Sequence, residues 1–108
     1  MIDWQQVNEL KQAIGATAFD TVVTLFLQEA DKTTALLAAA TTADQISATL
    51  HALKGSALNL GFTELAQICQ SCEIRADTGE TDLPLDQVQA AYVRSRAEFV
   101  LKLPEMTS

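Results

Sequence analysis

The sequence predicts an all-α protein: an antiparallel up-down four-helix bundle with a short additional N-terminal helix. Three observations carry this. Apolar residues recur at alternating spacings of three and four along most of the chain, and strand-like alternation is nearly absent. The prolines are only Pro84 and Pro104, and the four glycines stand well apart. Helix-start and helix-stop residues fall at the ends of the apolar stripes. At 108 residues the chain is read as one domain, 1–108, with no internal repeat or linker.

The first helix is predicted from about Asp3 to Ile14, with Asp3 as cap, Gln6 three residues on and Gly15 as stop. Its stripe is Trp4, Val7, Leu10 and Ile14. The second starts near Thr17, with Asp20 in capping-box position, and runs to about Ala40. Phe19, Val22, Val23, Phe26, Ala30, Thr33 and Leu37 mark its inner face. The third begins after Thr42, where Thr42-Ala43-Asp44-Gln45 fits a capping box, and Gly61 stops it. Its stripe is Ile46, Leu50, Leu53, Ala57 and Leu60. The fourth spans about Thr63 to Ala76, with Leu65, Ile68, Cys69, Cys72 and Ala76 inward, and a polar loop follows over residues 77–82. The last enters at Pro84, favoured at a first helical position, and continues to about Leu103. Val88, Tyr92, Ser95 and Phe99 form its inner stripe. No one stripe is buried by its own helix, so bundling supplies most of the stability.

Composition narrows the function. The net charge is −7 and the sequence pI about 4.4. An acidic surface repels phosphate backbones and anionic lipid headgroups, which argues against nucleic-acid and membrane partners. No apolar run approaches the ~18 residues of a membrane span, and the opening Met1-Ile2-Asp3-Trp4 lacks the basic head of a signal peptide. A cytoplasmic location is expected, with Cys69 and Cys72 reduced.

Chemistry concentrates in the third helix, at His51-Ala52-Leu53-Lys54-Gly55-Ser56. Leu50 and Leu53 belong to the core stripe, which turns His51 and Lys54 toward solvent. Ser47, His51, Lys54, Gly55 and Leu58 then share a face, since residues three and four apart are neighbours. Imidazole, with an ordinary pKa of about 6.5, is mostly neutral and nucleophilic near pH 7 and can attack phosphorus without a strong external base. Lys54 sets a positive charge beside an incoming phosphoryl group. Gly55 is costly in mid-helix, by about 1 kcal/mol relative to alanine, and leaves room for a partner to approach. A turn centred near Gly61 and Phe62 pairs residues of the third and fourth helices whose numbers sum to about 124. Glu73 then lies across from His51 and Gln70 across from Lys54. A carboxylate accepting from Nδ1–H would orient the ring and leave Nε2 free to attack.

Taken singly, His51, Lys54 and Glu73 are more often solvated surface groups and Gly55 alone is consistent with close helix packing; together they point to one site. Ala48, Ala52 and Phe62 are expected to border it, and Leu58 either joins that docking surface or packs against the second helix. Cys69 and Cys72 form a C-x-x-C, but the strand-to-helix setting of a thioredoxin-type motif is missing, and a zinc site lacks its remaining ligands. They are read as small core residues. Three classes stay open: a phosphocarrier, a silent bundle acting as adaptor, and a thiol redox protein.

The stretch from His51 to Phe62, followed by Leu65, Cys69 and Glu73, resembles the histidine phosphotransfer (HPt) domain family of two-component phosphorelays. Histidine, then lysine and glycine, then a second glycine six residues later is a fairly specific signature. The likeness extends loosely to Ile2-Asp3-Trp4, Leu10, Gly15, Phe19 and Leu25-Phe26. The resemblance implies a four-helix bundle with an exposed phosphorylated histidine, His51, with Lys54 as electrostatic partner and Gly55 as clearance. It implies response-regulator receiver domains and hybrid sensor kinases as partners of a phosphocarrier. The chain's own motifs include no ATP-binding kinase core, Walker-type glycine run or convincing cluster of metal ligands, so no autokinase activity, cofactor or metal is expected. The acidic surface without an uninterrupted apolar heptad extension favours a monomer. Two departures stand out. Members often carry glutamine where this chain has Glu73, which puts a negative charge near the phosphoryl group and favours a relay over a store. Some carry a basic residue at the position of Asp77; here the nearest is Arg75, on another face.

Overall fold

The computed structural model describes residues 1–107, which form five helices: α1 (Trp4–Ile14), α2 (Ala16–Ala39), α3 (Ala43–Leu60), α4 (Thr63–Asp77) and α5 (Leu85–Met106). The four long helices make the bundle, and α1 closes one end. Cross-helix hydrogen bonds fix the directions. Ser47 meets Asp77, His51 meets Glu73 and Lys54 meets Gln70, so α4 runs back along α3. Asp31 meets Arg96 while Thr34 meets Gln89, so α5 runs back along α2. Pairs that descend on one helix as they ascend on the other define antiparallel neighbours.

The predicted stripes fill the interior. Leu50 and Leu53 of α3, Leu65 and Cys69 of α4, Val88 and Phe99 of α5, and Phe19 and Leu37 of α2 are all buried. Thr42 caps α3 in a full capping box with Gln45, and Asp3 caps α1 by accepting from Gln6 N at 3.2 Å. Gly61 ends α3 in the left-handed region, φ +75°. A side chain there would set its Cβ 2.8 Å from the Asp3 carbonyl oxygen, so glycine is required by conformation and by space alike.

Four expectations are corrected. The second helix begins at Ala16 with Gly15 as its N-cap and no side-chain cap, so Thr17 and Asp20 form no capping box. Pro84 is the N-cap of α5 instead of its first helical residue. That helix passes through Pro104 to Met106 because α1 finishes it: Asn8 Nδ2 donates to Met106 O at 2.9 Å and Lys11 to Thr107 O. Ile14, expected inside, is exposed. Trp4 of α1 instead stacks on Phe99 of α5, ring centroids 5.5 Å apart.

An α2–α5 clasp is built on Asp31, which receives Arg96 Nε and Nη2 at 2.8 and 2.9 Å and also the Tyr92 hydroxyl. The Arg96 guanidinium holds the Asp31 carboxyl below its usual range, outweighing the opposing effect of burial, with the Tyr92 hydrogen bond adding to it. Burial, with Asp31 alongside, pushes the Tyr92 phenol up. A carboxyl depressed in the folded state contributes stability that is complete above its unfolded pKa and disappears as pH falls through the folded one. Both partners are partly exposed, so the expected contribution is about 1 kcal/mol. Urea titrations of the parent and Asp31→Asn should differ by that amount at neutral pH and converge as pH falls through the lowered folded-state value of Asp31.

Candidate functional site

The site lies on the outer face of the α3–α4 hairpin. Leu50 and Leu53 are fully buried, and that anchoring turns the intervening His51 outward, its side chain 70 % exposed. His51 Nδ1 lies 2.9 Å from Glu73 Oε2. A carboxylate only accepts, so this bond requires Nδ1–H, and the neutral ring then carries its lone pair on Nε2. The nucleophilic nitrogen therefore faces solvent.

Glu73 is shared. Its other oxygen, Oε1, is buried and receives no hydrogen bond among the described residues, yet lies 3.0 Å from Lys54 Nζ. The ammonium directs its hydrogen bond to Gln70 Oε1, at 2.9 Å. His51, Glu73, Lys54 and Gln70 thus form one network, whereas the sequence pairs them two by two. The direct Lys54–Glu73 contact is the part sequence reasoning missed. Opposite charges three residues, about one helical turn, out of register across an antiparallel hairpin were the available signal.

The neighbours of the network divide. Gly55 is exposed, and a Cβ built on it meets nothing within 4 Å. Ala48 and Ala52 are exposed on the same side, and Ser47, half-buried, donates to Asp77. Leu58 is 50 % exposed and does not pack away under α2. With Lys54, Ala66, Gln67 and Gln70 it lines a shallow groove between α3 and α4. Phe62 is the exception. It is fully buried, edge-on to Phe99 at 5.4 Å and tilted against Tyr92, so it belongs to the core and not to a docking surface. The N-terminal segment turns it inward: Ile2 bridges to Phe62, and Asp3 N donates to Gly61 O at 2.7 Å.

Arg75, the nearest further cation in sequence, is turned to Glu80 at 2.7 Å, away from the ring. Cys69 and Cys72 are buried, and burial pushes the Cys69 thiol up to about 12 and the Cys72 thiol up as well. Thiols held protonated are poor nucleophiles, which disfavours the redox class. Among the described residues no three His, Cys, Asp or Glu side chains converge as a metal site would need, and no helix is long and apolar enough to cross a membrane.

Comparison with known proteins adds one finding. No curated protein and no solved structure matches the chain. The family model described as Hpt domain matches residues 21–104, from early α2 to near the end of α5, and so takes in the whole hairpin that presents His51. An all-helical bundle with an outward imidazole, matched over most of its length, belongs to the Hpt domain family.

Proposed function

We propose that the chain relays a phosphoryl group between receiver domains of two-component signalling proteins through His51. Membership of the family carries histidine phosphotransfer in phosphorelays, by a carrier without a catalytic core, and interaction with receiver domains and kinases. The observation that supports His51 as the carrier is the exposed ring held through Nδ1 by Glu73, with Nε2 left free. It is also the chain's single histidine.

In the proposed reaction Nε2 attacks the phosphorus of an aspartyl phosphate on the receiver, and the P–O bond breaks with return of the aspartate carboxylate. Such transfers depend mainly on alignment and electrostatic stabilisation. The receiver supplies magnesium and most of the machinery, while this chain supplies an oriented nucleophile, the Lys54 charge and the open surface beside Gly55. Response-regulator receivers and the receiver domains of hybrid sensor kinases are the proposed partners. They dock over Ala48, Ala52, Gly55 and exposed Leu58, where small and apolar groups surround the reactive ring. Residues 1–108 acting as one domain, a monomeric state and a cytoplasmic location belong to the same proposal.

Incubation with a receiver phosphorylated on aspartate tests it. Acid-labile, base-stable label should appear on this chain; no label from any receiver of the source organism would favour the adaptor. Gly55→Ala gives a second test, because the methyl group meets nothing inside the protein. Stability should rise by about 0.5–1 kcal/mol through helix propensity. Transfer should slow by about ten- to a hundredfold, since small misplacements of the reacting groups cost that much. Unchanged transfer would remove the clearance role.

A further inference from the structure

We propose that Glu73 sets how readily the site gives up its phosphoryl group, by keeping Nδ1 protonated while Nε2 carries phosphorus. This role rests on His51 being the carrier and belongs to the phosphorylated state of the ring. During uptake the Nε2 lone pair forms the N–P bond, the donor's P–O bond breaks, and the Nδ1 proton stays in place. The ring thereby gains one positive charge. During release an acceptor oxygen bonds phosphorus, the N–P bond breaks, and its electron pair returns to Nε2, so that a neutral imidazole leaves. No proton has to move in either direction. If Nδ1 loses its proton in between, the leaving group becomes an imidazolate anion, which departs far less readily.

The geometry makes Glu73 the group that prevents that loss. Its Oε2 is 2.9 Å from Nδ1. Its Oε1 is buried and accepts no hydrogen bond, its one close partner being the Lys54 ammonium at 3.0 Å, so Oε2 is the oxygen that engages the ring. Glu73 is 16 % exposed, which limits screening by solvent. A carboxylate favours the charged ring, whereas a glutamine amide at the same place only accepts the hydrogen bond. The other groups around the ring do not substitute for it. Lys54 on α3 opposes a ring cation and sits 3.0 Å from Glu73, partly offsetting its field. On α4, Asp77 is engaged by Ser47 and Arg75 by Glu80. The Cys69 thiol behind the pair is held neutral by burial.

The experiment needs no receiver. Phosphoramidate, a small N–P donor that phosphorylates imidazoles, labels the single histidine directly, and phosphorus NMR tracks loss of the label from about pH 6 to 9. The parent should lose label at a nearly constant rate over the neutral range. In Glu73→Gln the rate should begin to fall at least about one pH unit lower, which lengthens the half-life about tenfold at pH 8. Glu73→Asp, which keeps the charge on a shorter arm, should lie between the two. Superimposable pH profiles for parent and Glu73→Gln, with unchanged helical circular dichroism, overturn the proposal, as does faster loss from the variant. If Glu73→Gln fails to fold, Glu73→Asp decides: a profile displaced toward lower pH supports the proposal, and an unchanged one overturns it. Absence of transfer from phosphorylated receivers would count against the carrier and leave these profiles standing.

Discussion

His51→Gln is expected to take up no phosphoryl label from a phosphorylated receiver, under conditions in which the parent is labelled within minutes. Glutamine offers no nucleophilic nitrogen, and the chain holds no second histidine. The loss should come without loss of fold. The ring is 70 % exposed and contributes nothing to the core, so the stability change should stay within about 0.5 kcal/mol. Glu73 keeps Lys54 as its neighbour in the variant, so no buried charge is left alone. Two measurements on one preparation check this: acid-labile label after incubation with receiver, and the urea midpoint by circular dichroism. Label persisting in His51→Gln would place the acceptor elsewhere; unfolding would show that the ring has a structural role.

Phe62→Ala should do the reverse, costing about 3–5 kcal/mol of stability while leaving the chemistry of the folded molecules intact. The ring is fully buried between Phe99 and Tyr92, at the point where the α3–α4 turn meets the N-terminal segment. Removing it opens a cavity that rigid helices close only in part. At a urea dependence of about 2 kcal/mol per molar, the midpoint should fall by roughly 2 M. Labelling at low temperature, corrected for the folded fraction, should match the parent. A drop below about 1 kcal/mol together with weakened receiver binding would return Phe62 to the surface.

These two residues mark where the sequence was legible. The α3 stripe of Ile46, Leu50, Leu53, Ala57 and Leu60 is a local pattern, and local patterns fix which face of a helix is buried; the outward direction of His51 follows from it. The short turn at Gly61 leaves little freedom in register, so the position of Glu73 opposite His51 follows from counting. Phe62 did not yield to the same reasoning. Its direction depends on Ile2 and Asp3, about sixty residues away, and no periodicity encodes a chain end folding over a turn. The last turn of α5 was hidden for the same reason. Pro104 reads as a stop, and the donors that carry the helix past it come from Asn8 and Lys11 on α1. The Lys54–Glu73 contact needed side-chain reach as well as register, which spacing alone does not supply.

The four members of the polar network all belong to one helical hairpin, joined by a turn of two residues. Their assembly therefore requires closure of only a short loop, at an entropic penalty that grows slowly with length and is small here. The hairpin network joins residues 16 to 22 apart in sequence, whereas the clasp joining α2 to α5 joins residues 65 apart. The clasp and the network beside His51 share no residue, so loss of one removes no hydrogen bond of the other.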